Sequence, residues 1–252
     1  MIQRVKGYEC KMNEEFPVKH TAIHHKHLVL GASVISEGGW LRPEKYSSPK
    51  EETENAQQNV GIYDSSTVEK IDIRGKELDK LLRKLYSRAR ANVGQVIDLK
   101  IKGEESNQGQ TMWCKLSIDR ALIISTRYNI ERMVVSLVKD VSSYANATNV
   151  TSGYSGISLV GPMSRNLLSK LTELDLSAGG FPDHSCKVTR LAGVQSIVVR
   201  ADIGGNMNFM VLVSRDCGEF IWDTISHAGK EFEATPIGTV AYRMLGEEMS
   251  KK

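Results

Sequence analysis

The chain has no apolar run approaching the roughly 20 residues that cross a bilayer as a helix, so nothing in it reads as a membrane span. Met1 to Glu15 is charged throughout and lacks an apolar stretch, so no secretory leader is expected. Cysteine is scarce: Cys10, Cys114, Cys186 and Cys217 lie far apart without a CxxC pair. That spacing excludes a disulfide framework or a zinc knuckle and fits the reduced thiols of a cytoplasmic protein. Charge of one sign is also lacking. The net charge of +3 is too mild to argue for nucleic acid. No GxGxxG follows a strand, and neither GxxxxGK[ST], HExxH nor a GxSxG elbow occurs. Dinucleotide, P-loop, zincin and serine-hydrolase chemistry therefore have no sequence support.

What is present is ordinary globular material, 40% hydrophobic and 25% charged, in a chain of 252 residues. That length holds one large domain or two ordinary ones. Val68, Ile71 and Ile73 stand among polar neighbours, which predicts a strand ending at Gly75. Leu78, Leu81, Leu82 and Leu85 then follow helical spacing. Strands are expected over 94–102, 111–118 and 120–126, and a helix from Ile130 to Lys139. "GISLVGPMSRNLLSKL" repeats the order of "KIDIRGKELDKLLRKL": strand, Gly, helix with paired leucines. Later strands are expected at 186–191, 194–201 and 208–214, then a helix "CGEFIWDTISHAG" closed by Gly229 as its C-cap, and a last helix with Pro236 near its start. Two such cycles indicate α+β architecture with antiparallel sheets.

Several residues invite chemistry. His20, His24, His25 and His27 fall within eight positions, and His24 and His27 would share a helix face. Zinc needs a further ligand, and the nearest acids, Glu37 and Glu44, stand at no ligand-like spacing, so no metal is expected. The basic residues between Lys76 and Arg90 read as the solvated side of a helix. "DIGGNMNFM" is either a hairpin turn or a loop that lets a ligand approach the backbone. His184 and His227 read as isolated, and Cys114 as core.

Taken together, "HTAIHHKHLVLGASVISEGGWLRPEKY", "VGIYDSSTVEKIDIRGKELDKLL", "SLVGPMSRNLLSKL", "FPDHSCKVTRLAGVQSIVVR" and "HAGKEFEATPIGTVAYRMLGEE" resemble one family. It is the aminomethyltransferases, the T-proteins of the glycine cleavage system and their relatives. The likeness is greatest to the folate-binding half of the large subunit of heterotetrameric sarcosine oxidase. The family segment T-P-x-H-x-x-H…G-A…W-x-R-P-x-x-Y reads here as Thr21, Ala22, Ile23, His24, His27, Gly31, Ala32, Trp40, Arg42, Pro43 and Tyr46, with Ala22 in place of the proline. The resemblance runs from about residue 20 to 250.

The resemblance implies two intertwined α+β lobes with antiparallel sheets and flanking helices. Residues 1–58 with 150–230 would form the first, and 59–149 with 231–252 the second. It implies tetrahydrofolate in a central cavity lined by Trp40, Tyr63, Trp113, Arg200, Asn206 and Met210, with the histidine segment packing the N-terminus nearby. In T-proteins and sarcosine oxidase a further β-rich domain follows the last helix, whereas this sequence stops at Lys252. The partners implied are subunits of a flavin-dependent amine oxidase or a separate C-terminal β-domain protein.

Two departures bear on activity. The family's Asp-Asp pair, which handles an amine proton, falls on Gly109 and Gln110. The motif G-E-x-x-(Y/F)-E, whose last Glu holds the pterin, reads Gly205, Asn206, Met207, Asn208, Phe209, Met210. The sequence thus supports a tetrahydrofolate-binding aminomethyltransferase-like subunit, or a non-catalytic binding and assembly relative with a degenerate folate site.

Overall fold

The structure is a computed structural model that describes residues 19–86, 90–99, 110–127, 130–141 and 145–247. It opens with β1 (Lys19–His20), α1 (His24–Val29), β2 (Ser33–Glu37), β3 (Trp40–Lys45) and α2 (Pro49–Gln58). Next come β4 (Gly61–Asp64), β5 (Glu69–Gly75), α3 (Leu78–Leu85), β6 (Val96–Asp98), β7 (Thr111–Lys115), β8 (Arg120–Ser125), α4 (Ile130–Val141) and β9 (Ala145–Asn149). The rest is β10 (Tyr154–Val160), α5 (Ser164–Ser169), β11 (Ser185–Leu191), β12 (Val194–Arg200), β13 (Asn208–Ser214), α6 (Gly218–Gly229), β14 (Thr235–Pro236) and α7 (Thr239–Glu247).

Three sheets result, with strand orders β1-β3-β2, β11-β12-β13-β10-β4-β14 and β6-β7-β8-β5-β9. The five-stranded sheet is drawn wholly from the middle of the chain. β4 and β14, expected in the second lobe, stand instead in the six-stranded sheet. α7, also expected there, packs on α2 and β3. Long-range strand pairing dictates this. β4 pairs with β10 before the chain crosses to β5, and β14 lies parallel to β4 through Thr235 and Pro236.

Each large sheet covers one face with helices. Leu78, Leu81 and Leu82 of α3 and Val134 and Val138 of α4 bury against Ile71, Ile73, Trp113 and Ile123. Each large apolar side chain so buried contributes about 1.5–3 kcal/mol. α5 and α6 place Leu167, Leu168, Ile221, Trp222 and Ile225 against Ile62, Leu159, Phe209 and Val211 of the six-stranded sheet.

The opposite faces of the two sheets meet each other. Met112, Cys114, Leu122 and Ile124 come from one; Ile197, Val199, Met210 and Leu212 come from the other. The sheets also join at one edge, where Cys186 N donates to Gly94 O and Val96 N to His184 O, both at 2.8 Å. α6 does not end on Gly229 as a left-handed cap: its φ is −76°, and the chain runs on through a 3-10 turn to Glu233, which takes φ +50°. Gly229 is needed for closeness, since a Cβ there would stand 2.7 Å from that of Ala234.

Candidate functional site

The histidine segment docks onto β4. Asp64 accepts from Thr21 Oγ1 at 2.8 Å, from Ser66 N at 2.9 Å and from His27 Nε2 at 2.9 Å. With its proton on Nε2, the His27 ring accepts the Tyr46 hydroxyl on Nδ1 at 2.7 Å. Burial works against the Asp64 charge, but the bonds from His27 and Ser66 outweigh it and hold the carboxyl below its ordinary value. Burial, aided by His20, lowers the pKa of His24 to about 4, so that ring is neutral near pH 7. Among the described residues no three His, Cys, Asp or Glu side chains converge to hold a metal ion.

Cross-strand register shows which residues share the inter-sheet face, because directly opposed residues point the same way. On the six-stranded sheet one row runs Tyr63, Ser158, Met210, Val199, Cys186. The next row towards one end holds Gly61, Val160 and Asn208, with Ala201 joined to Asn208 by its N–H. α7 closes over part of this face. Tyr242 stacks on Tyr63 with ring centroids 4.0 Å apart, and Arg42 donates to the Tyr63 hydroxyl. Burial pushes the Tyr242 hydroxyl pKa up, and bonds from Ser158 and Asn208 act the other way. Asn208 is 3% exposed and donates through Nδ2 to Ala201 O at 2.9 Å, yet its Oδ1 has no hydrogen-bond partner among the described residues. A buried acceptor left unpaired costs about 1–3 kcal/mol.

Facing it, the five-stranded sheet offers Lys70, Ile124, Met112 and Asp98 in one row. Lys70 is fully buried; its Nζ donates to the carbonyls of Ser65, Ser66 and Val68 at 3.3, 3.0 and 2.7 Å. Burial lowers its pKa to about 7, with the Asp64 charge opposing. Asp98 lies on the edge strand of this sheet. Its Oδ1 accepts from Gln110 Nε2 at 2.9 Å, and its Oδ2 meets His184 Nε2 at 2.9 Å. His184 Nδ1 reaches Asp183 at 3.0 Å. Partial burial disfavours the imidazolium, but the two carboxylates outweigh this and raise the pKa of His184. In the sequence His184 stands isolated. Its partner Asp98 lies 86 residues away, and only the folded edge contact joins them.

The expected cavity residues separate. Tyr63 and Met210 share the inter-sheet face, where Met210 is 5% exposed among apolar neighbours. Trp113 does not: it lies between Met112 and Cys114 and points to the opposite, helix-covered side. Arg200 also faces away, opposed to Phe209, with its guanidinium over that ring and bonded to Asp202 and Phe181 O. Trp40 is buried on β3 in the small sheet. Asn206 sits in the β12–β13 connection and donates to Leu245 O at 3.2 Å, which ties that loop to α7. The paired glycines let the backbone come close, as one reading anticipated, but the approaching group is α7 itself. Gly109 lies outside the described residues. A surface hollow of about 430 Å³ on α6, lined by Leu171, Phe220, Asp223, Thr224, His227 and Ala228, lies away from this face.

Compared with known proteins, the family profile described as the GCVT N-terminal domain matches residues 23–250. Sarcosine oxidase subunit alpha of Corynebacterium sp. (strain U-96) is 28% identical, covering 92% of this chain and 26% of that one. The aminomethyltransferase of Anoxybacillus flavithermus is 28% identical over 82% of this chain and 58% of its own length. The chain therefore spans well under two thirds of either relative. Among solved structures, glycine cleavage system aminomethyltransferase T from Bartonella henselae superposes with a TM-score of 0.74 at 14% identity, covering 90% of this chain and 62% of that one. Heterotetrameric sarcosine oxidase from Corynebacterium sp. U-96 does so with 0.62 at 15% identity, over 86% of this chain and 97% of that chain. Both likenesses establish the fold. Among the described residues no helix is long and apolar enough to cross a membrane.

Proposed function

Because the chain belongs to the GCVT N-terminal domain family, we propose that it is a tetrahydrofolate-binding protein of the aminomethyltransferase type. It handles one-carbon transfer as a subunit beside an amine-oxidising, sarcosine oxidase-like partner or a glycine-cleavage partner. The observation that carries the reading is the unpaired, buried Oδ1 of Asn208 on the inter-sheet face. A pterin presents N–H donors, and Asn208 stands two residues before Met210, where the family's pterin-holding Glu is lost. Asn208 would hold the pterin edge, with Tyr63 and Tyr242 beside it. Tetrahydrofolate, when bound, supplies the amine nitrogen that receives the one-carbon unit; the chain's residues bind it and handle its protons.

A second reading, a non-catalytic binding and assembly module, is favoured by the apolar packing of Met210 between the sheets. Calorimetry with tetrahydrofolate separates the two. The first reading expects micromolar binding, and about tenfold weaker binding for Asn208→Leu, the equivalent of one lost hydrogen bond. Silence up to millimolar tetrahydrofolate supports the second.

A further inference from the structure

We propose that Asp98 is the proton-handling carboxylate of this site, positioned by His184 and Gln110; the inference rests on the tetrahydrofolate reading above. Three observations carry it. Asp98 shares the inter-sheet face with its cross-strand partner Met112, beside the edge where Val96 N donates to His184 O. Its side chain is 44% exposed, so a ligand at that edge can reach it. Its partner Gln110 occupies one of the two positions at which the family resemblance places its paired aspartates. The bond of 2.9 Å from Gln110 Nε2 therefore sets a carboxylate beside that position from a neighbouring strand.

Each carboxylate oxygen of Asp98 accepts one bond from the chain, Oδ1 from Gln110 and Oδ2 from His184. An ionised carboxylate has about four lone-pair sites, so room remains for a ligand N–H. The step is a single proton transfer. The N–H bond of a ligand ammonium breaks, its electron pair stays on nitrogen, and the proton moves to an Asp98 oxygen and from there to water. His184 does not take the proton, because both its ring nitrogens face carboxylates, Asp98 and Asp183. As an imidazolium it holds the Asp98 carboxylate in place. Among the described residues, the other groups around the cluster are the Cys114 and Cys186 thiols on the same face, and Asp202, whose N–H binds Asp183 while its carboxylate pairs with Arg200. Asp202 and Arg200 neutralise each other, so Asp98 and Asp183 leave the cluster with one net negative charge beside His184. That charge favours a cationic ligand nitrogen.

The test measures tetrahydrofolate affinity of the full chain by calorimetry at pH 7.5. It uses wild type, Asp98→Asn, His184→Asn and the double variant. Asparagine suits position 184 because the backbone there has φ +60°, a conformation Asn tolerates. Asp98→Asn is expected to bind about tenfold more weakly, the equivalent of one lost hydrogen bond. His184→Asn is expected to weaken binding less and to add nothing further in the double variant, because it acts only through Asp98; independent roles would add. Wild-type binding with unchanged affinity in Asp98→Asn overturns this inference alone. Absence of wild-type binding overturns it together with the tetrahydrofolate reading.

Discussion

The Asp64 carboxylate and the His27 imidazole, 37 residues apart in the chain, meet at 2.9 Å with each side chain 1% exposed. This bond fastens α1 to β4. Its loss is expected to cost roughly 2–3 kcal/mol, the range for a hydrogen bond to a buried charged group. His27→Ala should show that loss in urea unfolding, and an unchanged midpoint would deny the bond its role.

The same carboxylate predicts acid behaviour. Its folded pKa lies below the ordinary 3.8, so the unfolded chain binds its proton first as pH falls. Its stabilisation is therefore present above about pH 3.8 and is lost as pH drops through the folded value. Stability curves from pH 5 to pH 2 should be shallower for Asp64→Asn than for wild type; equal slopes would contradict the assignment.

Glu52 ties three segments together. It accepts from Tyr46 N at 2.6 Å, Ser47 N at 2.8 Å and Gly238 N at 2.7 Å, and is 4% exposed. It thus fixes the end of β3, its own helix α2 and the entry to α7. Glu52→Gln keeps one carbonyl oxygen but places an NH2 against backbone donors. A loss of about 1–3 kcal/mol is expected in thermal or urea unfolding.

Gly204 and Gly193 form a matched pair. Both have positive φ, +53° and +81°. A Cβ on Gly204 would strike the Leu245 carbonyl, whereas one on Gly193 meets nothing within 4 Å. Gly193→Ala should cost about 1 kcal/mol, the ordinary left-handed penalty. Gly204→Ala should cost clearly more and loosen α7, seen as faster hydrogen exchange in 239–247. Equal costs would refute the close approach.

Local periodicity made much of this fold legible. The leucine spacing of α3, the strand ending at Gly75 and the repeat of strand, Gly and helix at β10 and α5 all stand where the pattern places them. Sequence did not reveal the face on which each strand residue points. "MWC" is apolar on both sides, so nothing local shows that Trp113 turns to the helices while Met112 and Cys114 turn inward. The resemblance places Arg200 in the cavity, and only register with Phe209 turns it away. Asp98 with His184 could not be paired by reading, because the edge contact between β6 and β11 joins segments from opposite halves of the chain. Lys70 was hidden for a similar reason: three backbone carbonyls around an ammonium leave no mark on composition.

The central claim, that the inter-sheet face receives tetrahydrofolate, is tested most directly by methionine-methyl NMR. Met210 and Met112 stand on that face, while Met133 and Met244 are 37% and 38% exposed on helices. Saturating tetrahydrofolate should shift the Met210 and Met112 methyl signals and leave Met133 and Met244 in place. Unmoved Met210 and Met112 signals in the presence of bound tetrahydrofolate would contradict the account.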